Sequence, residues 1–267
     1  MKLTILTDNT TRIDAYYVGE PGVSYYLEDG ERRILFDTGY SDVYVRNAAA
    51  MGIDLSAVDT LVLSHGHNDH TRGLLWLPPL AKRAELIAHP ALFAPKRFEG
   101  EEIGSPMTRA EAAEKFTLHL SAEPVQLTER LLFLGEIPRT NDFESRRPLG
   151  ERLEGETWVP DFLPDDSALV YRGEEGLTII TGCSHSGICN ITDYAMRVCG
   201  EDRIAGIIGG FHMMAVTSRV ARTVEYLKAR QPRRLCPCHC TCFHARAAIH
   251  SAVPVQEVCV GDVLEIR

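Results

Sequence analysis

The sequence predicts an α/β protein, a single domain over residues 1–267 with two sheets between layers of helix. Three observations lead there. Short apolar runs bounded by turn residues alternate with stretches of helical period. The strand-like runs come in two batches, each mixed with helices, and no Pro/Gly/Ser-rich linker divides them. The hydrophobic share of 45% and charged share of 24% give 267 residues enough apolar content for a sizeable core.

Strands are expected at residues 2–6, 23–27 and 33–36, the last two joined by Glu28-Asp29-Gly30-Glu31. A helix over about 42–51, with alanines inside and Gly52 as its stop, leads to a short turn at 55–58 and a buried strand at 60–63. The next helix starts at Asp69 or His70 and runs through Leu77 to the stop at Pro78-Pro79, before a strand at 85–89. Residues 92–117 mix charge with Gly and Pro, and a helix over about 109–116 begins behind the capping residue Thr108. After a strand at 131–134, the polar run of about 140–166 carries five Pro or Gly positions, Pro148, Gly150, Gly155, Pro160 and Pro164. It is too long for an ordinary connection and reads as an irregular excursion, either a lid over a site or a surface loop. Strands at 167–171 and 177–181 follow, then a helix to about 198, a strand at 204–208 and a helix over 218–230. The run 234–237, a helix at 243–250 and strands at 255–259 and 263–266 complete the chain.

The densest chemistry lies in Ser64-His65-Gly66-His67-Asn68-Asp69-His70, three imidazoles and a carboxylate straight after an apolar run. His70 breaks the alternation of His65, His67 and Asp69, so the segment is no simple strand face but a loop that turns its donors toward one or two cations. Neutral imidazole with carboxylate suits zinc, manganese or iron better than calcium or magnesium. Four times an apolar run ends and a histidine arrives within a few residues: His65 after Leu63, His185 after Thr181, His212 after Ile208, and His239 after Leu235. Strand ends are where an α/β scaffold gathers a site.

Charge argues against one class of partner. With 28 basic and 37 acidic residues the formal charge is −9, whereas general nucleic-acid binding wants a basic face, although an acidic protein can still hold a local basic pocket. No apolar stretch approaches the roughly 20 residues of a membrane helix. Met1-Lys2-Leu3-Thr4-Ile5-Leu6 runs straight into a strand rather than resembling an export signal, so a cytoplasmic location is expected. There the eight cysteines favour thiols over disulfides. The cysteines of Cys236-Pro237-Cys238-His239-Cys240-Thr241-Cys242 alternate instead of taking the spacing of a closed zinc site.

His-x-His-x-Asp-His, met by His65, His67, Asp69 and His70, together with Asp37-Thr38-Gly39 upstream, resembles the metallo-β-lactamase fold superfamily. Thr181-Gly182-Cys183-Ser184-His185-Ser186-Gly187, Gly209-Gly210-Phe211-His212 and Pro237-Cys238-His239-Cys240-Thr241 look like one branch of it. That branch holds the archaeal 7,8-dihydropterin-6-methyl-4-(β-D-ribofuranosyl)aminobenzene-5′-phosphate synthase and bacterial relatives. The resemblance implies a four-layer αββα sandwich with a dinuclear site at one edge. By it, His65 and His67 hold a first metal, Asp69 and His70 a second, and His239 matches a late ligand. Two departures accompany it. Glu136 stands near where most relatives have a ligand histidine, and Cys183 near where most have a bridging aspartate, which makes His185 and then His212 the substitute ligands.

Such a site implies one or two divalent transition metal ions, zinc first, with iron or manganese as alternatives. A metal with an open position lowers the pKa of bound water from about 15.7 towards about 7. Asp69 is the candidate catalytic residue, as ligand and as acceptor of a water proton, and an N-cap role for it is compatible with both. Cys183 is a candidate ligand, a reactive thiol or a small buried residue; His89 is a candidate substrate contact or a surface histidine. The expected function is metal-dependent hydrolysis or group transfer on a small anionic molecule resembling the synthase's substrates. A phosphodiesterase or lactone/ester hydrolase is the alternative, and a metal or redox sensor using the cysteines a further one.

Overall fold

The computed structural model describes residues 1–144 and 146–267. In chain order the elements are β1 (Lys2–Thr7), β2 (Ser24–Asp29), β3 (Arg32–Phe36), α1 (Val43–Ala50), β4 (Thr60–Val62), α2 (Asn68–Thr71), β5 (Glu85–Ala88), β6 (Lys96–Phe98), β7 (Glu101–Glu102), α3 (Arg109–Lys115), β8 (Thr117–Leu120), β9 (Val125–Gln126), β10 (Leu131–Phe133), β11 (Glu151–Glu154), β12 (Thr157–Pro160), β13 (Ala168–Gly173), β14 (Gly176–Thr181), α4 (Ile188–Cys199), β15 (Ile204–Gly210), α5 (Ser218–Arg230), β16 (Arg234–Cys238), α6 (Phe243–His250) and β17 (Val263–Glu265). They pack as two α/β units. The first takes Met1–Ala122, Arg147–Asp165 and Cys259–Ile266; the second takes Glu123–Arg146, Asp166–Val258 and Arg267.

In the first unit the sheet order is β17-β1-β2-β3-β4-β5-β8. Strands β1 to β3 pair antiparallel, while β3, β4, β5 and β8 run parallel, so the connections after β3, β4 and β5 all leave from one edge. Leu6, Leu35, Leu61 and Leu86 join Tyr44 and Ala48 of α1 and Ala112 of α3 in one apolar core. Helix α3 starts with a full capping box, Thr108 and Glu111 each satisfying the other's backbone N–H. A smaller antiparallel sheet, β12-β11-β6-β7, completes this unit.

In the second unit the order is β16-β15-β14-β13-β10-β9, with β14, β15 and β16 parallel. Helix α5 buries Val220, Thr223, Val224 and Leu227, the i, i+3, i+4, i+7 stripe of an amphipathic helix. Val220, Val224 and Leu227 share one apolar core with Ile191 and Ala195 of α4, Ile249 of α6, and Ile179, Ile207 and Leu235 of the sheet. Among the described residues, no helix is long and apolar enough to cross a membrane.

Three stretches differ from expectation. Within the run expected to be irregular, Glu151–Glu154 and Thr157–Pro160 form a regular hairpin whose outer partner is β6. Both strands are only four residues long and largely half-exposed, the first mostly charged and the second ending in Pro160, so no alternation of buried apolar residues announces them. Residues 255–259, expected as a strand, are irregular and tie to β16 by the bond from Gln256 N–H to the Leu235 carbonyl. The helix expected to reach Leu77 is one α-turn that continues as a 3₁₀ segment, Arg72–Trp76.

Candidate metal centre

In the first unit, β4 delivers the histidine loop. Its neighbour β3 ends at Asp37, a fully buried residue in the left-handed region at φ 57°. That conformation costs a non-glycine residue of order 1 kcal/mol. Asp37 Oδ1 accepts the Ser64 N–H at 2.7 Å; Oδ2 accepts the Ser64 hydroxyl at 2.7 Å and lies 2.7 Å from His70 Nδ1. A carboxylate only accepts, so His70 carries its proton on Nδ1 and keeps its Nε2 lone pair, which faces Asp69 Oδ2 at 3.6 Å. The Ser64 hydroxyl has given its proton to Asp37 and so accepts from His65 Nδ1 at 2.9 Å. His65 Nε2 is thereby left with its lone pair.

That nitrogen stands 3.1 Å from His67 Nδ1. Two nitrogens each about 2.0–2.1 Å from one tetrahedral zinc lie roughly 3.3 Å apart, so the pair fits a shared cation closely. Burial pushes the His67 pKa down to about 4, with Lys96 and His70 adding to the effect and Asp69 and Asp165 opposing it. A neutral imidazole is the form that ligates. The donor set therefore suits a divalent transition metal in both chemistry and protonation.

The loop is pinned from outside. The Gly66 N–H donates to Asp165 Oδ2 at 2.8 Å, and a Cβ at Gly66 would stand 2.3 Å from the Leu92 carbonyl oxygen, so glycine is required by close approach. Lys96 Nζ reaches Asp161 at 2.7 Å and Asp165 at 3.0 Å. Burial alone lowers the Lys96 ammonium, yet the two carboxylates outweigh it and hold the pKa above the usual lysine range. Burial likewise raises Asp165, and Lys96, the Gly66 N–H and His67 overcome it and hold the carboxyl below its usual range. Beside His67 and Asp69 lies a cavity of about 430 Å³ whose other walls are Pro21, Tyr40, Asn68, Phe98, Ile103 and Leu149. His89 is not among them: it is buried, and its Nδ1 accepts the Ala91 N–H at 3.1 Å.

In the second unit the parallel strands β14, β15 and β16 lead, within one to four residues of their ends, into Cys183 to His185, His212 and His239. Ser184, His212 and His239 all take left-handed backbone, at φ 58°, 48° and 47°. Strain of this kind gathers at sites of function. The Ser184 hydroxyl bonds the Gly210 carbonyl at 2.6 Å, tying the β14 and β15 turns together. The His185 and His212 ring centroids are 4.3 Å apart. Asp166 accepts both the backbone N–H, at 2.8 Å, and the hydroxyl of Ser186, fixing the residue beside His185. Burial raises the Asp166 pKa above the carboxylate range against the pull of those bonds. Burial would raise the Cys240 thiol too, but its side-chain hydrogen bond with Cys183, the charge of His239, and the hydrogen bond and charge of the His212 side chain prevail and hold it well below the usual thiol range.

A family model described as the metallo-beta-lactamase superfamily matches residues 17–195, about two thirds of the chain. The chain belongs to that superfamily. It is similar to the 7,8-dihydropterin-6-methyl-4-(beta-D-ribofuranosyl)-aminobenzene-5'-phosphate synthase of Methanocaldococcus jannaschii, 30% identical over 261 residues that span 92% of this chain and 89% of that protein. A second protein of that organism, MJ0448, is 32% identical over 248 residues, 91% of each chain. Among solved structures, that of Tm1679, described as a metal-dependent hydrolase of the beta-lactamase superfamily, matches 99% of this chain and 98% of its own at 28% identity and a TM-score of 0.86. Metallo-β-lactamase proteins usually bind divalent metals, and the α/β sheets described above are of that fold.

Of the residues singled out in the sequence, His65, His67, Asp69 and His70 stand together in the first unit. Cys183, His185 and His212 cluster in the second, and His239 flanks them, its Cδ2 3.2 Å from where a Gly210 Cβ would be. Glu136, at the first departure from the superfamily pattern, is an exposed turn residue. Sequence reasoning missed Lys96, Asp165 and Asp166, and named Cys240 only as one of the run of cysteines at 236–242. The doublet Asp165-Asp166 at the close of a polar run was the signal available for two of them.

Proposed function

We propose that this chain is a metal-dependent hydrolase or transferase acting on a small anionic substrate. The observation that carries the reading is the His65–His67 nitrogen pair at 3.1 Å, with the protons of His65 and His70 placed by Ser64 and Asp37. The proposed ligands are His65, His67, Asp69 and His70 of the first unit and His185, His212 and His239 of the second, for one or two ions, zinc foremost, with iron and manganese the alternatives. Such an ion supplies acidified water and offsets negative charge on a phosphate or a departing group. Asp69, 30% exposed at its side chain, holds an oxygen both toward His70 and toward the cavity, where it accepts the proton of an attacking water. Tyr40 and Phe98 offer that cavity aromatic faces against which a flat ring packs. This supports a substrate like those in the M. jannaschii synthase's name, a pterin and a phosphorylated ribofuranosylaminobenzene.

A second reading is hydrolysis of a phosphodiester or a lactone, favoured by the likeness to the Tm1679 hydrolase. The formal charge of −9 supports a small molecule rather than nucleic acid as partner, and eight thiols without a disulfide support a cytoplasmic setting. The test joins metal analysis to a turnover screen of phosphodiesters, lactones and pterin pyrophosphates. One or two metal equivalents per chain are expected, at least one lost in His67→Ala, with turnover that a chelator abolishes. A metal-free preparation whose His67→Ala variant behaves like wild type would refute the proposal.

A further inference from the structure

Cys183, His212 and Cys240, all of the second unit, each bring one donor atom within 4.8 Å of the other two. The sulfur of Cys240 sits there by design of its surroundings. A Cβ at Gly210 would lie 2.5 Å from it, so any other residue at that position would displace the thiol. The His212 backbone N–H donates to Cys240 Sγ at 3.2 Å, and His212 holds the left-handed conformation, a strained choice for a non-glycine residue. A cysteine serving as a small hydrophobe needs neither feature. The imidazole adds an independent observation: His212 Nδ1 is buried and makes no hydrogen bond among the described residues. A buried ring nitrogen without a partner is costly unless a ligand takes it up.

We propose that Cys183, His212 and Cys240 form a thiolate-bearing site for one divalent metal ion of the zinc and cobalt class, within the second unit. The inference deepens the reading of the chain as a transition-metal protein and rests on it. Two thiolates and an imidazole favour thiophilic ions over magnesium, calcium or manganese. Three protein donors leave a fourth position open to water or substrate. Loading releases the thiol protons to solvent as the two metal–sulfur bonds form.

Cobalt(II) loading of the full-length protein tests this. Thiolate bound to cobalt(II) gives a near-ultraviolet charge-transfer band whose intensity scales with the number of Co–S bonds, and nitrogen and oxygen donors give none. Wild type is expected to show the band; Cys183→Ser and Cys240→Ser each halve it, the double variant abolishes it, and Cys199→Ser, on α4 and away from the cluster, leaves it intact. Cobalt bound stoichiometrically without the band overturns the thiolate site while leaving the metal-enzyme reading standing. A wild-type band unchanged in Cys240→Ser also overturns it. No bound cobalt by elemental analysis removes both. Should the serine variants fail to fold, zinc-edge X-ray absorption of the wild-type protein decides the same point: sulfur neighbours at about 2.3 Å are expected, two per chain once the average is multiplied by the zinc content, and a nitrogen/oxygen-only shell refutes the site.

Discussion

Asp37 Oδ2 lies 2.7 Å from His70 Nδ1, and through Ser64 the same carboxylate places the proton of His65 as well. One buried anion thus decides which nitrogens of two histidines are left to ligate.

Replacing it should show in affinity before stability. Asp37→Asn keeps an oxygen for the Ser64 N–H but loses the obligate acceptor for His70. Zinc affinity is expected to fall on the order of 10–100-fold, the usual effect of removing a partner that orients a ligand. Competition against a chromophoric chelator measures it. An affinity within twofold of wild type would show that the carboxylate does not set the tautomer.

His67 makes the metal-free protein sensitive to acid. Its folded pKa of about 4 lies below the ordinary 6.5, so the unfolded chain takes up the proton first as pH falls. The contribution is fully present above pH 6.5 and is lost between there and about 4, with a ceiling on the order of 3 kcal/mol. Urea unfolding of the chelator-treated protein at pH 7, 5.5 and 4.5 should therefore show falling stability with a slope reduced in His67→Ala. Equal slopes in the two proteins would contradict the assignment.

Lys96 is a buried cation between Asp161 and Asp165. Lys96→Met leaves two carboxylates without their counter-charge, and breaking a buried pair this way costs about 3–5 kcal/mol. Chemical denaturation reads the loss directly. A change below about 1 kcal/mol would mean that water or a proton replaces the lysine at little cost.

Gly66 couples that ion cluster to the histidine loop. Its N–H is held by Asp165, and the Leu92 carbonyl leaves no space for a Cβ. Gly66→Ala should destabilise the protein by about 1–3 kcal/mol as an overpacked site does, and should lower metal affinity because the loop must shift. Thermal melts with and without zinc separate the two effects: the stabilisation by zinc should shrink in the variant. A variant with the wild-type zinc increment would place the loop's rigidity elsewhere.

Legibility followed how local each determinant is. The helix Ser218–Arg230 appears as expected because Val220, Val224 and Leu227 carry a 3.6-residue period within the segment itself. The hairpin of Glu151–Glu154 and Thr157–Pro160 carries no such mark; its strands are four residues each and half-exposed, and pairing with Lys96–Phe98, more than fifty residues earlier, makes them a sheet. In reverse, residues 255–259 have strand-like composition but pair through little more than the Gln256 N–H.

By itself the sequence determined the superfamily signature, His65, His67, Asp69 and His70, and the strand ends from which His185, His212 and His239 issue. Ligand chemistry and strand–loop patterning are written in consecutive residues, so both can be read without a fold. Only the tertiary structure decided that Asp37 and Ser64 set two tautomers, that Lys96 and Asp165 brace Gly66, and that Cys240 rather than Cys242 meets Cys183 and His212. Each of these joins residues tens of positions apart, and their protonation and burial exist only once the chain has excluded water around them.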